Sequence, residues 1–389
     1  MRLLVLENEP SSRRGGQEKS LLDVCRGLAA RGHRIELLHT ADGDLLDEYR
    51  AFCARIDRVG AYAVDRTRTA PAILRMVRDG LLPGREAPDA VYANQYLDSV
   101  FARLLSWRFR RPFVCHMRLP PPDSFCGQYR WGMGGAARLI AISKQTREDY
   151  VARGFSPDRI DVVYNGIDAA SWRPSLDRTI GRERWGIRAE GLLAVYAGRL
   201  YRGKGIEVLI DAFATLPESW QLAIAGREHE DGSGGGFEAE LRARARERGV
   251  TDRCHLVGHV GDVAGLFGAA DVAVLPSVMS ESFGRVIIEA MACATPVIAS
   301  RIGGIPEVLT GEFDDHLFDP GDAAALAARL RTLGEWRRRD PGLGLRCRAH
   351  VEQRFDLRRT VEGVEAALQR AVDDWSADAS WRAAVGAIR

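Results

Sequence analysis

Long apolar runs are missing from this chain of 389 residues: no stretch approaches the roughly 18 uninterrupted apolar residues that a membrane-spanning helix requires. The apolar opening, residues 3–6, is too short for a secretory leader, and Glu7 and Glu9 follow at once, so this end reads as a first β-strand. Cysteine is sparse and unpatterned. The seven residues (Cys25, Cys53, Cys115, Cys126, Cys254, Cys293, Cys347) include no Cys-x-x-Cys pair, which signals neither a disulfide framework nor a zinc site and fits a reducing cytoplasm. A dominant charge sign is absent too: 55 Lys and Arg against 53 Asp and Glu leave a formal +2, so nucleic acid is not expected as a partner. Neither a Gly-x-Gly-x-x-Gly fingerprint nor the Lys-Ser/Thr of a P-loop follows the first strand, and nicotinamide and ATP chemistry lose ground accordingly.

What is present is length and rhythm. A chain of this size with 46% hydrophobic and 28% charged residues can bury more than one core, so two domains are the first expectation. Short β-branched or leucine-rich runs alternate with amphipathic helical patterns, the mark of βα units and a parallel sheet. Strands are expected at 3–6, 34–39, 90–93, 112–116 and 139–143, then at 192–197, 221–225, 254–257, 272–276 and 296–300. Between the first two, Leu21, Leu22, Cys25 and Leu28 recur at helical spacing, with Gly32 as the C-terminal cap. The fold class is therefore α/β, with two doubly wound Rossmann-like domains facing a cleft. The expected domains are 1–175, 188–356 and a closing helical segment, 357–389, that packs back on the first domain. The Gly-rich, acidic stretch 227–236 reads as a surface loop.

Open parallel sheets bind ligands beyond the carboxyl ends of their strands, and the chemistry-bearing motifs fall there. Gly15-Gly16-Gln17-Glu18 joins the first strand to its helix, where bare backbone and a helix N-terminus suit a phosphate; a plain turn is the competing reading. Gly198-Arg199 through Lys204-Gly205 follows the strand 192–197, placing a planar guanidinium and an ammonium on one Gly-flexed loop suited to a diphosphate. The most specific stretch is Ser280-Glu281-Ser282-Phe283-Gly284 leading to Glu289, which lies among Val286, Ile287, Ile288, Ala290 and Met291. A carboxylate in such a setting is costly to bury alone, so Glu289 is expected to face a ligand. Were all eight steps from Glu281 helical, the two carboxylates would differ by about 80° around the axis and about 12 Å along it, a spacing that brackets a diphosphate. His116 ends the strand 112–116 and is a candidate hydrogen-bonding group, with a structural histidine as the alternative. Ser143 reads as a helix N-cap and Gly303-Gly304 as a turn.

Together with Leu28-Ala-Ala-Arg-Gly-His33 and Asn165-Gly-Ile-Asp168 followed by Pro174, these motifs resemble, in order and spacing, the GT-B retaining glycosyltransferases of family 4 over nearly the whole chain. The resemblance implies a sugar transferase that takes a nucleotide-diphosphate sugar as donor, UDP- or GDP-linked, with no other cofactor. It implies that Gly15 and Gly16 lie against the diphosphate, that Arg199 and Lys204 neutralise it, and that Glu289 holds the ribose. Glu281 and His116 would then meet the transferred sugar, aided by backbone at Phe283 and Gly284. Gly226, Arg227, His259 and Val260 would surround the base. Retention of configuration is expected from the likeness alone. Metal independence is expected because no Asp/Glu/His cluster with divalent-ligand spacing lies near these loops, which leaves fixed cations and helix dipoles to meet the leaving-group charge.

The acceptor is open: a sugar, a lipid-linked molecule or another small molecule. The stretch from Arg103 to Arg111 interleaves Trp107 and Phe109 with four arginines and is expected to give salt-sensitive peripheral contact with the inner face of a membrane; a solvated helix end is the alternative. Two rival readings share the architecture: a sugar-nucleotide epimerase, which needs no acceptor, and a binding protein without turnover.

Overall fold

The computed structural model describes residues 1–63, 70–82, 84–123, 125, 127–173, 177–228 and 235–377. Cys126, Pro174, part of the loop 227–236 and the end of the helical segment beyond 377 lie outside the described residues. The chain divides into two compact units, each with its own parallel sheet. The first runs from Met1 to Asn165 and resumes at Leu357; the second spans Gly166–Asp356.

Unit one carries β1 (Arg2–Glu7), β2 (Arg34–His39), β3 (Arg55–Arg58), β4 (Ala90–Ala93), β5 (Phe113–Met117), β6 (Arg138–Ala141) and β7 (Ile160–Val162), in the order β3-β2-β1-β4-β5-β6-β7. Because side chains alternate along a strand, each β-strand feeds two cores. Leu3 and Val5 join a cluster on one face of the sheet, while Leu4 and Leu6 join another on the opposite face. The first face is covered by the helix Gly16–Ala30, which buries Leu21, Leu22, Val24, Cys25 and Leu28, and by the helix Leu357–Ala377, which buries Val361, Val364, Ala367, Leu368 and Ala371. The three large apolar groups among these, Val361, Val364 and Leu368, correspond to roughly 4.5–9 kcal/mol of gross burial, at about 1.5–3 kcal/mol each, so this segment is part of the unit's core.

Unit two carries β8 (Leu192–Ala197), β9 (Trp220–Ala225), β10 (Cys254–Gly258), β11 (Val272–Leu275), β12 (Val297–Ser300) and β13 (Leu317–Phe318), in the order β10-β9-β8-β11-β12-β13. Its core gathers Ile206, Leu209, Ile210 and Phe213 from one helix and Phe237 and Leu241 from another against Tyr196, Leu222, Ile224 and Val274 of the sheet. In each sheet the strand order reverses direction once, between β1 and β4 in unit one and between β8 and β11 in unit two. Such a reversal splays the loops beyond the two strands apart and opens a crevice at their carboxyl ends.

Three strands escape the sequence pattern, and β3, β7 and β13 are all at or near a sheet margin. β3, Arg-Ile-Asp-Arg, is an edge strand with one apolar residue; β13 is an edge of two residues. Edge strands bury less and are often polar, so periodicity has little to register.

Candidate active site

At the reversal in unit two, the loop after β8 meets the loop after β11. The first forms a short turn of helix, Arg202–Lys204, ending at Gly205; the second runs from Pro276 to Gly284, where the helix Arg285–Ala292 begins. The two loops are tied by backbone, with Val278 and Met279 N–H both donating to Gly203 O at 3.0 and 3.2 Å. Gly205 makes the approach possible: it has φ of +64°, and a Cβ there would sit 2.0 Å from Pro276 O. Gly303, after β12, does the same beneath Glu281: its φ is +58°, and a Cβ would fall 2.2 Å from Glu281 O. The neighbouring Gly304 N–H donates to that carbonyl at 2.8 Å. Gly303-Gly304 is thus a turn whose work is to seat the glutamate loop.

This architecture brings Lys204 and Glu281 together. The Lys204 ammonium donates to Glu281 Oε1, and Ser277 Oγ donates to the same oxygen at 2.8 Å. Both bonds fall on Oε1, which leaves Oε2 and two of the three ammonium N–H groups for a ligand. The side chains are 20% and 17% exposed, so Lys204 is not the freely solvated loop residue that its glycine flanks suggest. Arg199 is exposed, and its guanidinium has no hydrogen bond or ion pair among the described residues. Tyr196 OH fixes the Arg199 carbonyl at 2.7 Å, so the backbone is anchored while the side chain is left for an anion.

Glu289 lies in the helix Arg285–Ala292 and is 13% exposed. It is not alone: Arg285 Nε donates to Glu289 Oε1 at 2.8 Å, one turn earlier. This i,i+4 pair, which the helical period allows, compensates the carboxylate through one of its two oxygens. Gly284, with φ of +83°, caps the helix and leaves Glu281 in the loop before it, so the two carboxylates are not related by helical geometry. Phe283 is buried with its ring edge-on to Phe355, so the ring itself does not face a ligand. Gly226 ends β9 against Gly198 O and donates to Gly258 O at 2.8 Å; Val260 is buried close by in sequence, while Arg227 and His259 are exposed.

At the reversal in unit one, Gly15 (φ +145°) stands ahead of the helix Gly16–Ala30, with Glu18 buried in the first turn. Ser143 caps its helix by accepting from Thr146 N–H at 3.0 Å. His116 has no exposed surface; its Nδ1 lies 2.6 Å from Tyr92 OH, and its Nε2 is buried with no partner among the described residues. Burial and the nearby Arg118 cation lower its pKa well below the usual value, so the ring is neutral.

Around it lies a buried polar network that sequence reasoning missed. Arg118 Nε donates to Asn94 Oδ1 at 2.6 Å and Nη1 to Asn165 Oδ1 at 3.0 Å, while Asn94 Nδ2 donates to Glu7 Oε2 at 2.8 Å. Burial, with Glu18 and Asp98 nearby, raises the Glu7 carboxyl well above the usual range; burial lifts Asp98 to about 8. A signal existed, since Glu7 closes β1 and Asn94 follows β4, polar residues at the carboxyl ends of two strands that flank the reversal.

Comparison with known proteins places these loops in a family. Residues 14–171 match the family described as Glycosyltransferase Family 4, and residues 177–339 match Glycosyl transferases group 1. A D-inositol 3-phosphate glycosyltransferase 2 of Catenulispora acidiphila is 36% identical over 352 residues, covering 81% of this chain and 82% of that protein. A D-inositol 3-phosphate glycosyltransferase of Xylanimonas cellulosilytica is 29% identical over 82% of this chain and 83% of its own length. Among solved structures, Anabaena HepE in complex with UDP has a TM-score of 0.81 at 25% identity, covering 95% of this chain and all (100%) of that one. A sucrose-phosphate synthase from Thermosynechococcus elongatus has a TM-score of 0.79 at 24% identity, covering 95% and 98%. With two Rossmann-like units, each with its own strand-order reversal, and with both halves matched in sequence, this chain belongs to the GT-B glycosyltransferases of group 1 and family 4.

Proposed function

We propose that this glycosyltransferase moves a hexosyl unit from a UDP- or GDP-linked sugar to an acceptor hydroxyl, with retention at the anomeric carbon and without a metal. The Lys204–Glu281 pair at the reversal in unit two carries the reading. It presents an ammonium and a free carboxylate oxygen side by side, with the unpaired Arg199 guanidinium on the same loop. As the bond from C1 to the diphosphate oxygen breaks, its electron pair passes to the leaving phosphate, while the acceptor oxygen bonds to C1 and its proton passes to the departing phosphate oxygen. Lys204 and Arg199 meet that charge with donors already in place, the kind of preorganised group whose removal costs on the order of 10²–10³ in rate. Glu281 Oε2 accepts from a sugar hydroxyl, Glu289 accepts from the ribose, and Gly15 and Gly16 offer bare backbone to phosphate. In unit one, His116 contributes a hydrogen bond to the transferred sugar. HepE was solved with UDP and with UDP-glucose, which supports UDP as the first nucleotide to test. The relatives' names make D-inositol 3-phosphate the first acceptor to test.

The test is a panel of UDP- and GDP-sugars offered with and without that acceptor. The product's anomeric configuration is read by NMR, and activity is compared in EDTA and in magnesium. Acceptor-dependent release of the nucleoside diphosphate with retained configuration supports the proposal. A second nucleotide sugar formed without acceptor, inverted product, or activity lost in EDTA and restored by magnesium would each overturn the corresponding part.

Peripheral contact with an anionic membrane is supported by a surface that keeps Arg103 and Trp107 of the expected segment and extends beyond it. Phe109 and Leu105 of the helix Ser99–Phe109 are buried, so the apolar side of the expected Arg103–Arg111 segment is not its own. Trp107 and, outside the segment, Trp131 are exposed and meet edge-on at 5.1 Å with the Arg103 guanidinium over both rings, and the adjacent helix Ala70–Leu81 exposes Leu74, Val77 and Leu81. Flotation with phosphatidylserine vesicles at low salt tests it; protein that stays at the bottom refutes it.

A further inference from the structure

We propose that Tyr92 is a positioning residue that fixes His116 in one tautomer, with Nδ1 bare and Nε2 carrying the proton, so that His116 acts only as a hydrogen-bond donor. The inference rests on the reading that His116 meets the transferred sugar, and it adds how that histidine is set and what it is able to do.

Register brings the two residues together. β4 and β5 pair in parallel with Tyr92 opposite Val114 and Ala93 opposite Cys115, so His116 lies on the same face as Tyr92, two positions further along. Their ring centroids are 6.0 Å apart, and the Tyr92 hydroxyl reaches Nδ1 at 2.6 Å. Both side chains are fully buried. The phenol stays protonated, because burial raises its pKa well above the ordinary value. Its hydrogen must go somewhere. The other group at the Tyr92 oxygen is Arg118 Nη2 at 3.5 Å, and a guanidinium has only donors. Among the described residues Nδ1 is the acceptor that remains, so Tyr92 O–H donates to Nδ1 and Nδ1 carries no hydrogen. A neutral imidazole then has its proton on Nε2. That N–H is buried and without a partner among the described residues, which leaves it to donate to a ligand oxygen or a water.

The assignment has a chemical consequence. A ring whose bare nitrogen is held by Tyr92 and whose other nitrogen already bears a proton has no site left to receive one from the attacking hydroxyl. His116 is thereby excluded as the general base and confined to donating to a sugar hydroxyl or phosphate oxygen. Arg118, linked to Asn94 and Asn165, reinforces this by keeping the ring neutral and supplying the second bond to the Tyr92 oxygen.

The test uses the full chain labelled with ¹⁵N-histidine, with the His116 resonances assigned by their loss in His116→Ala. Long-range ¹H–¹⁵N correlations report which ring nitrogen is protonated. The wild type should show a pyridine-like Nδ1 and a pyrrole-like Nε2. Tyr92→Phe, which removes one oxygen, should shift His116 toward mixed tautomers. It should also lower kcat on the order of 10–100-fold, by analogy with the loss when a group orienting a metal-bound histidine is removed, with little change in the donor KM and a thermal melt that shows a folded protein. A protonated Nδ1 in the wild type, or an unchanged tautomer and kcat in Tyr92→Phe, would overturn the proposal. Full activity of His116→Ala beside the stated tautomer would instead sink the role of His116 at the sugar, so the two failures are distinguishable.

Discussion

Replacing Lys204 with alanine should separate the site's catalytic and structural demands. The Lys204 side chain is one-fifth exposed and its ammonium is bonded to Glu281 Oε1, a setting between a solvated pair, worth about 0–1 kcal/mol, and a buried one, whose breaking costs about 3–5 kcal/mol. An intermediate loss of about 1–3 kcal/mol in folded stability is expected, since Ser277 alone then supports the carboxylate. At roughly 2–4 °C per kcal/mol for a unit of this size, the melting temperature should fall by about 2–12 °C, rather than being spared as for a solvated loop residue. Turnover should suffer more. The charge on the leaving diphosphate loses a fixed donor, so kcat should drop about 10²–10³-fold, equivalent to about 2.7–4 kcal/mol, with a smaller rise in donor KM. Steady-state kinetics and thermal melting of Lys204→Ala, Glu281→Gln and the double variant form a cycle, and contacting residues should be non-additive in it. Turnover within threefold of wild type, or strictly additive effects, would refute the assignment of this pair to the reaction.

Other outcomes follow from the same geometry. Gly303→Ala should place a Cβ on the Glu281 carbonyl in a left-handed conformation and lower kcat by at least about tenfold; unchanged kinetics would show that the loop does not need that seat. Asp98 keeps its proton in the folded state up to about pH 8, whereas an unfolded carboxyl loses it near pH 4. Its contribution is therefore fully present below about pH 4 and declines by at most about 1.4 kcal/mol per pH unit up to about pH 8; Asp98→Asn should flatten this slope in urea melts, and a constant gap between variant and wild type from pH 5 to 8 would contradict it. Activity should persist in EDTA, and loss restored by a divalent ion would show that the diphosphate charge is met by metal.

Much of the fold was legible because buried parallel strands leave continuous apolar runs: β2, β4 and β8 begin and end where the sequence places them. Legibility failed at the margins of the sheets, where Arg55–Arg58 has little apolar signal to give. In the site, the residue types were readable but their pairings were not. Lys204 and Glu281 are 77 positions apart, and what joins them is a strand order together with the close approaches at Gly205 and Gly303, none of which has a local signature. Tyr92 was hidden differently: a tyrosine in an apolar strand reads as core, and only the register of β4 against β5 turns its hydroxyl into a partner for His116.

The central claim, that the loops at the reversal in unit two hold the donor's diphosphate, is tested most directly by calorimetric titration of the wild type and Arg199→Ala with UDP, GDP and the corresponding nucleosides. Arg199 is exposed and has no side-chain partner among the described residues, so its replacement leaves the fold intact. A diphosphate should bind more tightly than its nucleoside in the wild type, and Arg199→Ala should weaken the diphosphate about 10–100-fold while leaving the nucleoside unchanged, as expected for losing one or two charge-assisted hydrogen bonds. Equal diphosphate affinity in the two proteins would contradict the account.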